Sequence, residues 1–72
     1  MSRESILVYR NPTLKNAEIA AFCLSEGVAE VLFFDKNNKL LFQYNVNSEN
    51  EARSLVKEVS VLINFRISFR VT

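Results

Sequence analysis

Residues 11–27 read NPTLKNAEIAAFCLSEG, and the reading of this stretch decides the fold. Asn11 suits a helix N-cap, Pro12 the first helical position and Gly27 a left-handed C-cap, so the punctuation predicts a helix from Pro12 to Glu26. Leu14, Ala17, Ala21 and Leu24 recur at helical spacing along it. Ala20 and Cys23 widen that stripe, while Ile19 and Phe22 fall at its edges.

On the N-terminal side, Ser5 to Arg10 (SILVYR) is a short apolar run of strand-favouring residues, halted by Asn11-Pro12 because proline cannot donate to a ladder. On the C-terminal side, residues 29–46 read AEVLFFDKNNKLLFQYNV. Two apolar runs here flank Asn37-Asn38, and asparagine tolerates the positive φ of a tight hairpin. Strands are predicted at Ala29 to Asp35 and Lys39 to Val46, and a two-residue turn sets Phe33 opposite Phe42 and Val31 opposite Tyr44.

Ser48-Glu49-Asn50-Glu51 is a capping box, in which Ser48 caps the helix and Glu51 reaches back. The helix it opens should run to about Leu62 and bury Ala52, Leu55, Val56, Val59 and Leu62 or Ile63. Glu49, Arg53, Lys57 and Glu58 form its wet side. The terminal RISFRVT alternates, with Ile67, Phe69 and Val71 on one face and Arg66, Ser68, Arg70 and Thr72 on the other, which is the pattern of a half-buried strand.

These elements add up to one domain over residues 1–72 with a ferredoxin-like β-α-β-β-α-β fold. Two helices cover one face of a four-stranded antiparallel sheet in the order 4-1-3-2. Composition agrees with a small globular α+β domain: 49% hydrophobic and 24% charged residues, one glycine and one proline. So short a chain buries only about 60% of its unfolded surface, which makes self-association a natural source of further stability.

The topology resembles the RNA-recognition motif, whose third strand runs Lys-Gly-aromatic-Gly-aromatic. Lys39 matches the start of that pattern, and Leu40, Leu41, Phe42 and Gln43 depart from it, so the resemblance lies in topology alone.

Counting narrows the chemistry. There is no histidine, Cys23 is the one cysteine and Gly27 the one glycine. General acid-base catalysis, a phosphate-binding glycine loop, a disulfide framework and a structural metal site all lack their usual residues, and the expectation is a protein that is not an enzyme and holds no cofactor or metal. MSRESILVYR lacks the apolar core of a signal peptide, and no run of 18 apolar residues exists, which places the chain in the cytoplasm, away from membranes. A net charge of +1 supplies no general attraction for nucleic acid.

With both helices on one side, the other side of the sheet is open. Leu32, Phe34, Leu41 and Gln43 should face outward there, joined from the first strand by either Leu7 and Tyr9 or Ile6 and Val8, the former pair favoured because tyrosine tolerates a wet edge. Such a cluster of large apolar groups marks a contact surface. The expected function is a protein-binding adaptor or inhibitor, of the kind that phages and mobile elements encode, docking to itself as a homodimer or to another protein. The alternative is a single-stranded RNA or DNA binder that uses Tyr9, Arg66 and Arg70 as a stacking and charge platform.

Overall fold

Glu26 and Gly27 both have positive φ, 53° and 77°. A two-residue connection with positive φ at both positions is the geometry of a type I′ hairpin turn, and it joins strands. In the computed structural model, which describes residues 9–72, β1 (Ile19–Ser25) and β2 (Val28–Phe34) run antiparallel on either side of that turn, in continuous register from Ser25 opposite Val28 to Ile19 opposite Phe34. Gly27 adopts the left-handed conformation that its position in the sequence suggested. The element it terminates is a strand.

The helix predicted over Pro12 to Glu26 is therefore replaced by two elements. Pro12–Asn16 forms a single 3-10 turn, whose Leu14 is fully buried, and after Ala17 the chain extends into β1. Ala-rich segments satisfy both periods, and packing decides between them. As a helix, this stretch would offer a stripe of alanines with little apolar area. As a strand it buries Ala20 and Phe22 on one face and provides ladder partners on both of its edges.

The remaining order is β3 (Leu40–Val46), α1 (Glu49–Ile63) and β4 (Ser68–Val71), giving a mixed sheet arranged β3-β2-β1-β4. β4 pairs parallel with β1, from Ile19 beside Ser68 to Phe22 beside Val71. The ferredoxin-like expectation is overturned: the described residues hold one long helix in place of two, the strand order differs, and one pair is parallel in place of an all-antiparallel sheet. Of the strand expected at Ser5 to Arg10, residues 5–8 lie outside the described residues, and Tyr9 and Arg10 have helical backbone.

The second hairpin reaches the expected register by an unexpected route. Its loop holds three residues, closed by the Asp35 N–H donating to the Lys39 carbonyl (3.0 Å), and Asn38 takes φ 64°. The Asp35 carboxylate braces the loop by accepting from the backbone N–H groups of Asn37 (2.8 Å) and Lys39 (3.0 Å). A three-residue loop shifts the pairing by one, and a bulge shifts it back. Phe34 pairs with Leu40, Phe33 with Phe42, and Leu41 is the extra residue between them. Phe33–Phe42 and Val31–Tyr44 are thus paired as the two-residue turn implied.

α1 begins as its capping box predicts. The Glu51 N–H donates to Ser48 Oγ (3.2 Å), and the Glu51 carboxylate accepts from the Asn47 N–H (3.0 Å). The helix ends in a Schellman arrangement: Asn64 is left-handed at φ 57°, its N–H donates to the Val61 carbonyl (3.2 Å), and the Phe65 N–H donates to that of Ser60 (3.0 Å). Ala52, Leu55, Val56 and Val59 form the buried stripe. They pack on Ala20, Phe22, Ala29, Val31, Phe33 and Val46 of the sheet, with Leu14 of the 3-10 turn and Ala17 just after it closing one end and Ile67 the flank.

Two backbone features can be tested by stability measurements. Gly27→Ala has free space for its methyl group, so its cost is conformational, about 1 kcal/mol by denaturant unfolding, and Gly27→Asn should recover most of it. Ser48→Ala should cost about 1 kcal/mol through the lost cap.

Candidate functional site

Alternation in the two hairpins sorts the sheet into a covered and an uncovered face. Ala20, Phe22, Ala29, Val31, Phe33, Phe42, Tyr44 and Val46 face α1 or pack on the buried cluster beneath it. The residues between them face the other way. Ile19, Phe34 and Leu40 lie in one cross-strand row, Ala21, Leu32 and Gln43 in the next, and Cys23, Glu30 and Asn45 in a third. No described element lies over this face.

The face is apolar at one end and polar at the other. Ile19, Leu32 and Phe34 are half-buried by their sheet neighbours, and Leu40 is 49% exposed. Ala21 is buried although it lies outside the core cluster, because larger side chains on neighbouring strands overshadow it. Towards the β1–β2 turn, Gln43 Nε2 donates to Glu30 Oε2, tying the second and third rows together. The Thr72 hydroxyl contacts Cys23 Sγ at 3.0 Å and donates to the Phe22 carbonyl at 3.0 Å, fastening the chain end to β1.

Leu32, Phe34 and Gln43 therefore stand on the face opposite α1, helix-free among the described residues, as the hairpin register implied. Leu41 departs from that expectation: as the bulged residue it packs against the buried cluster, and Leu40 takes the place opposite Phe34. Leu7 lies outside the described residues. Tyr9 is 84% exposed and has helical rather than strand backbone, just before the 3-10 turn that packs on β3 and α1.

The two arginines of the alternative platform also separate. Arg70 lies beside Ala21 on the helix-free side of β4, whereas Arg66 precedes the strand and lines a trough between β4 and α1 with Lys57, Ser60 and Arg53. Nothing in this geometry joins the three into one stacking surface.

Ile19, like Leu40, is a contributor that sequence reasoning missed. The signal was present in the alternation Ile19, Ala21, Cys23 against Ala20, Phe22, Leu24, which becomes decisive only once Glu26-Gly27 is read as a hairpin turn.

Among the described residues no three of His, Cys, Asp or Glu are grouped to hold a metal ion, and no helix is long and apolar enough to cross a membrane. No protein-family model matches the chain, and no curated protein or solved structure matches it either.

The two faces of β2 should respond differently to truncation. Phe33→Ala removes a fully buried ring and should cost about 3–5 kcal/mol, enough to unfold much of the population at room temperature. Leu32→Ala, on the uncovered face, should leave a cooperative thermal transition.

Proposed function

We propose that this chain is a small protein-docking module, an adaptor or inhibitor, whose contact surface is the helix-free face of its sheet. The observation that carries this reading is the row of Ile19, Phe34 and Leu40 beside Leu32, an apolar cluster with no described element above it. Contiguous apolar groups of this size usually meet another surface, since leaving them wet forgoes about 25 cal/mol for each Å² that could be buried.

A second copy of the chain is the simplest occupant. The described residues form a slab 18 Å thick and 31 by 30 Å across. A broad face of that extent suits the roughly 800 Å² per partner of a standard interface. Self-pairing is also chemically reasonable here, because the apolar row carries no charge of its own and Glu30, the carboxylate within the three cross-strand rows, is engaged by Gln43. In this reading the protein acts in the cytoplasm without catalysis, cofactor or metal, and its effect on a larger partner is steric, as suits a regulator of phage or mobile-element origin.

Sedimentation equilibrium tests the reading. The wild type should be dimeric or larger at micromolar concentration, and Phe34→Glu should shift it to monomer with an unchanged far-UV spectrum. A wild type that remains monomeric at the highest attainable concentration, with no heterologous partner recovered by cross-linking in its native host, would overturn it.

A further inference from the structure

One helix cannot cover four strands. An α-helix is about 10 Å across and strands lie about 4.8 Å apart, so α1 spans about two of them, and the outermost strand axes are about 14 Å apart. α1 packs against β1, β2 and β3. The inner face of β4 is left as the floor of a trough beside the helix. Phe69 is half-buried there, Val71 is 53% exposed, and Leu24 on the same side of β1 is 64% exposed.

The trough is lined by cations. Arg53, Lys57 and Arg66 stand along it over Val56, Ile67 and Phe69, with Ser60 between them, and among the described residues no carboxylate is part of the lining. Arg53 lies over the Phe69 ring, 4.8 Å from its centroid, and pairs with Glu49 at one end of the trough (3.0 Å). Arg70 adds a fourth cation on the opposite side of β4. Four of the nine basic residues of a nearly neutral chain thus flank a single strand.

That strand also has a bare edge. Ser68 and Thr72 donate their backbone N–H groups to the carbonyls of Glu18 and Phe22, both at the β1 side. In a parallel ladder the alternate residues turn their N–H and C=O outward, so Phe69 and Val71 present theirs along the outer edge, where no described strand pairs with them. The other sheet edge, β3, is interrupted by the Leu41 bulge and packed by the 3-10 turn.

We propose that the outer edge of β4 takes an acidic segment of a partner protein as a fifth strand in extended conformation. Its backbone pairs with Phe69 and Val71, and its acidic side chains, which alternation places on the trough side, meet Arg53, Lys57 and Arg66. Charge selects this occupant over a second copy. Two β4 edges brought together would set arginine and lysine against arginine and lysine, the arrangement by which edge strands resist self-pairing. The inference is independent of the docking role assigned to the helix-free face, since it uses other residues.

The experiment titrates the full chain with an acetylated peptide of alternating glutamate and valine, with its lysine and valine counterpart, and with oligothymidine, all followed by amide NMR. Saturable binding of the acidic peptide alone, with shifts centred on Phe69 and Val71, is the expected result. Lys57→Glu combined with Arg66→Glu should weaken it about tenfold, the scale of two rim charges reversed. Val71→Pro removes an outward N–H without touching the ladder to β1, and should weaken binding while the fold persists. Should that variant unfold, the charge-reversed pair decides alone. Phe34→Glu, which perturbs the helix-free face, should leave peptide binding unchanged. Equal binding of the lysine peptide, shifts confined to the helix-free face, or tighter binding of oligothymidine would each overturn the proposal.

Discussion

The reversal at Glu26 and Gly27 is the constraint on which the rest of this structure depends. Two successive positive φ angles turn the chain within two residues, and that makes Ile19–Ser25 the partner of Val28–Phe34. Once β1 is a strand it becomes an interior one, bonded to β2 on one side and β4 on the other. Both faces of the sheet then follow by alternation, as does the side on which α1 must lie. Were those residues helical instead, β2 would keep only β3 as a neighbour and β4 would have nothing to pair with.

Energetically, the fold rests on a narrow band of contacts between α1 and the middle of the sheet. Phe33, Val31, Leu55 and Val59 are fully or almost fully buried, and Leu14 seals the end of the layer from the 3-10 turn. Alanines at positions 20, 29 and 52 let helix and sheet approach closely without empty space. A core of this size has little margin. The polar devices at its borders, the Ser48 cap, the Asp35 loop brace and the Asn64 helix end, therefore carry a larger share of the total than they would in a bigger domain.

How far the sequence could be read depended on how many local signals agreed. The capping box at Ser48 and the stripe from Ala52 to Val59 carry one meaning only, and the helix forms as written. The register of the second hairpin was legible because Val31, Phe33, Phe42 and Tyr44 all needed the same buried face, a requirement strong enough that the loop and the Leu41 bulge offset one another to meet it. That compensation is also why Leu41 was misplaced on the open face: a bulge leaves no mark in a pattern of consecutive leucines. Residues 11–27 were ambiguous in kind, because Asn11-Pro12 and Gly27 are real boundaries whose contents fit either period. The tie was broken by strands far away in sequence, which local reasoning cannot weigh. For the candidate site, Leu32, Phe34 and Gln43 could be placed from the hairpin alone, while Ile19 and the trough beside β4 arise only from the pairing of β1 with β4.

That pairing has a consequence for the order of assembly. The two hairpins close loops of two and three residues, but the Thr72 hydroxyl reaches the Phe22 carbonyl across a sequence separation of 50. Loop-closure entropy rises with the span to be closed, so the meander and helix can form as a unit to which β4 is added last. A four-residue strand held on one side only is then the least protected part of the ladder, the first to exchange its amides when the native state breathes. The same physics makes it a latch: whatever engages β4 acts on the step that completes the molecule, and its hold is felt as a slower opening of the whole edge.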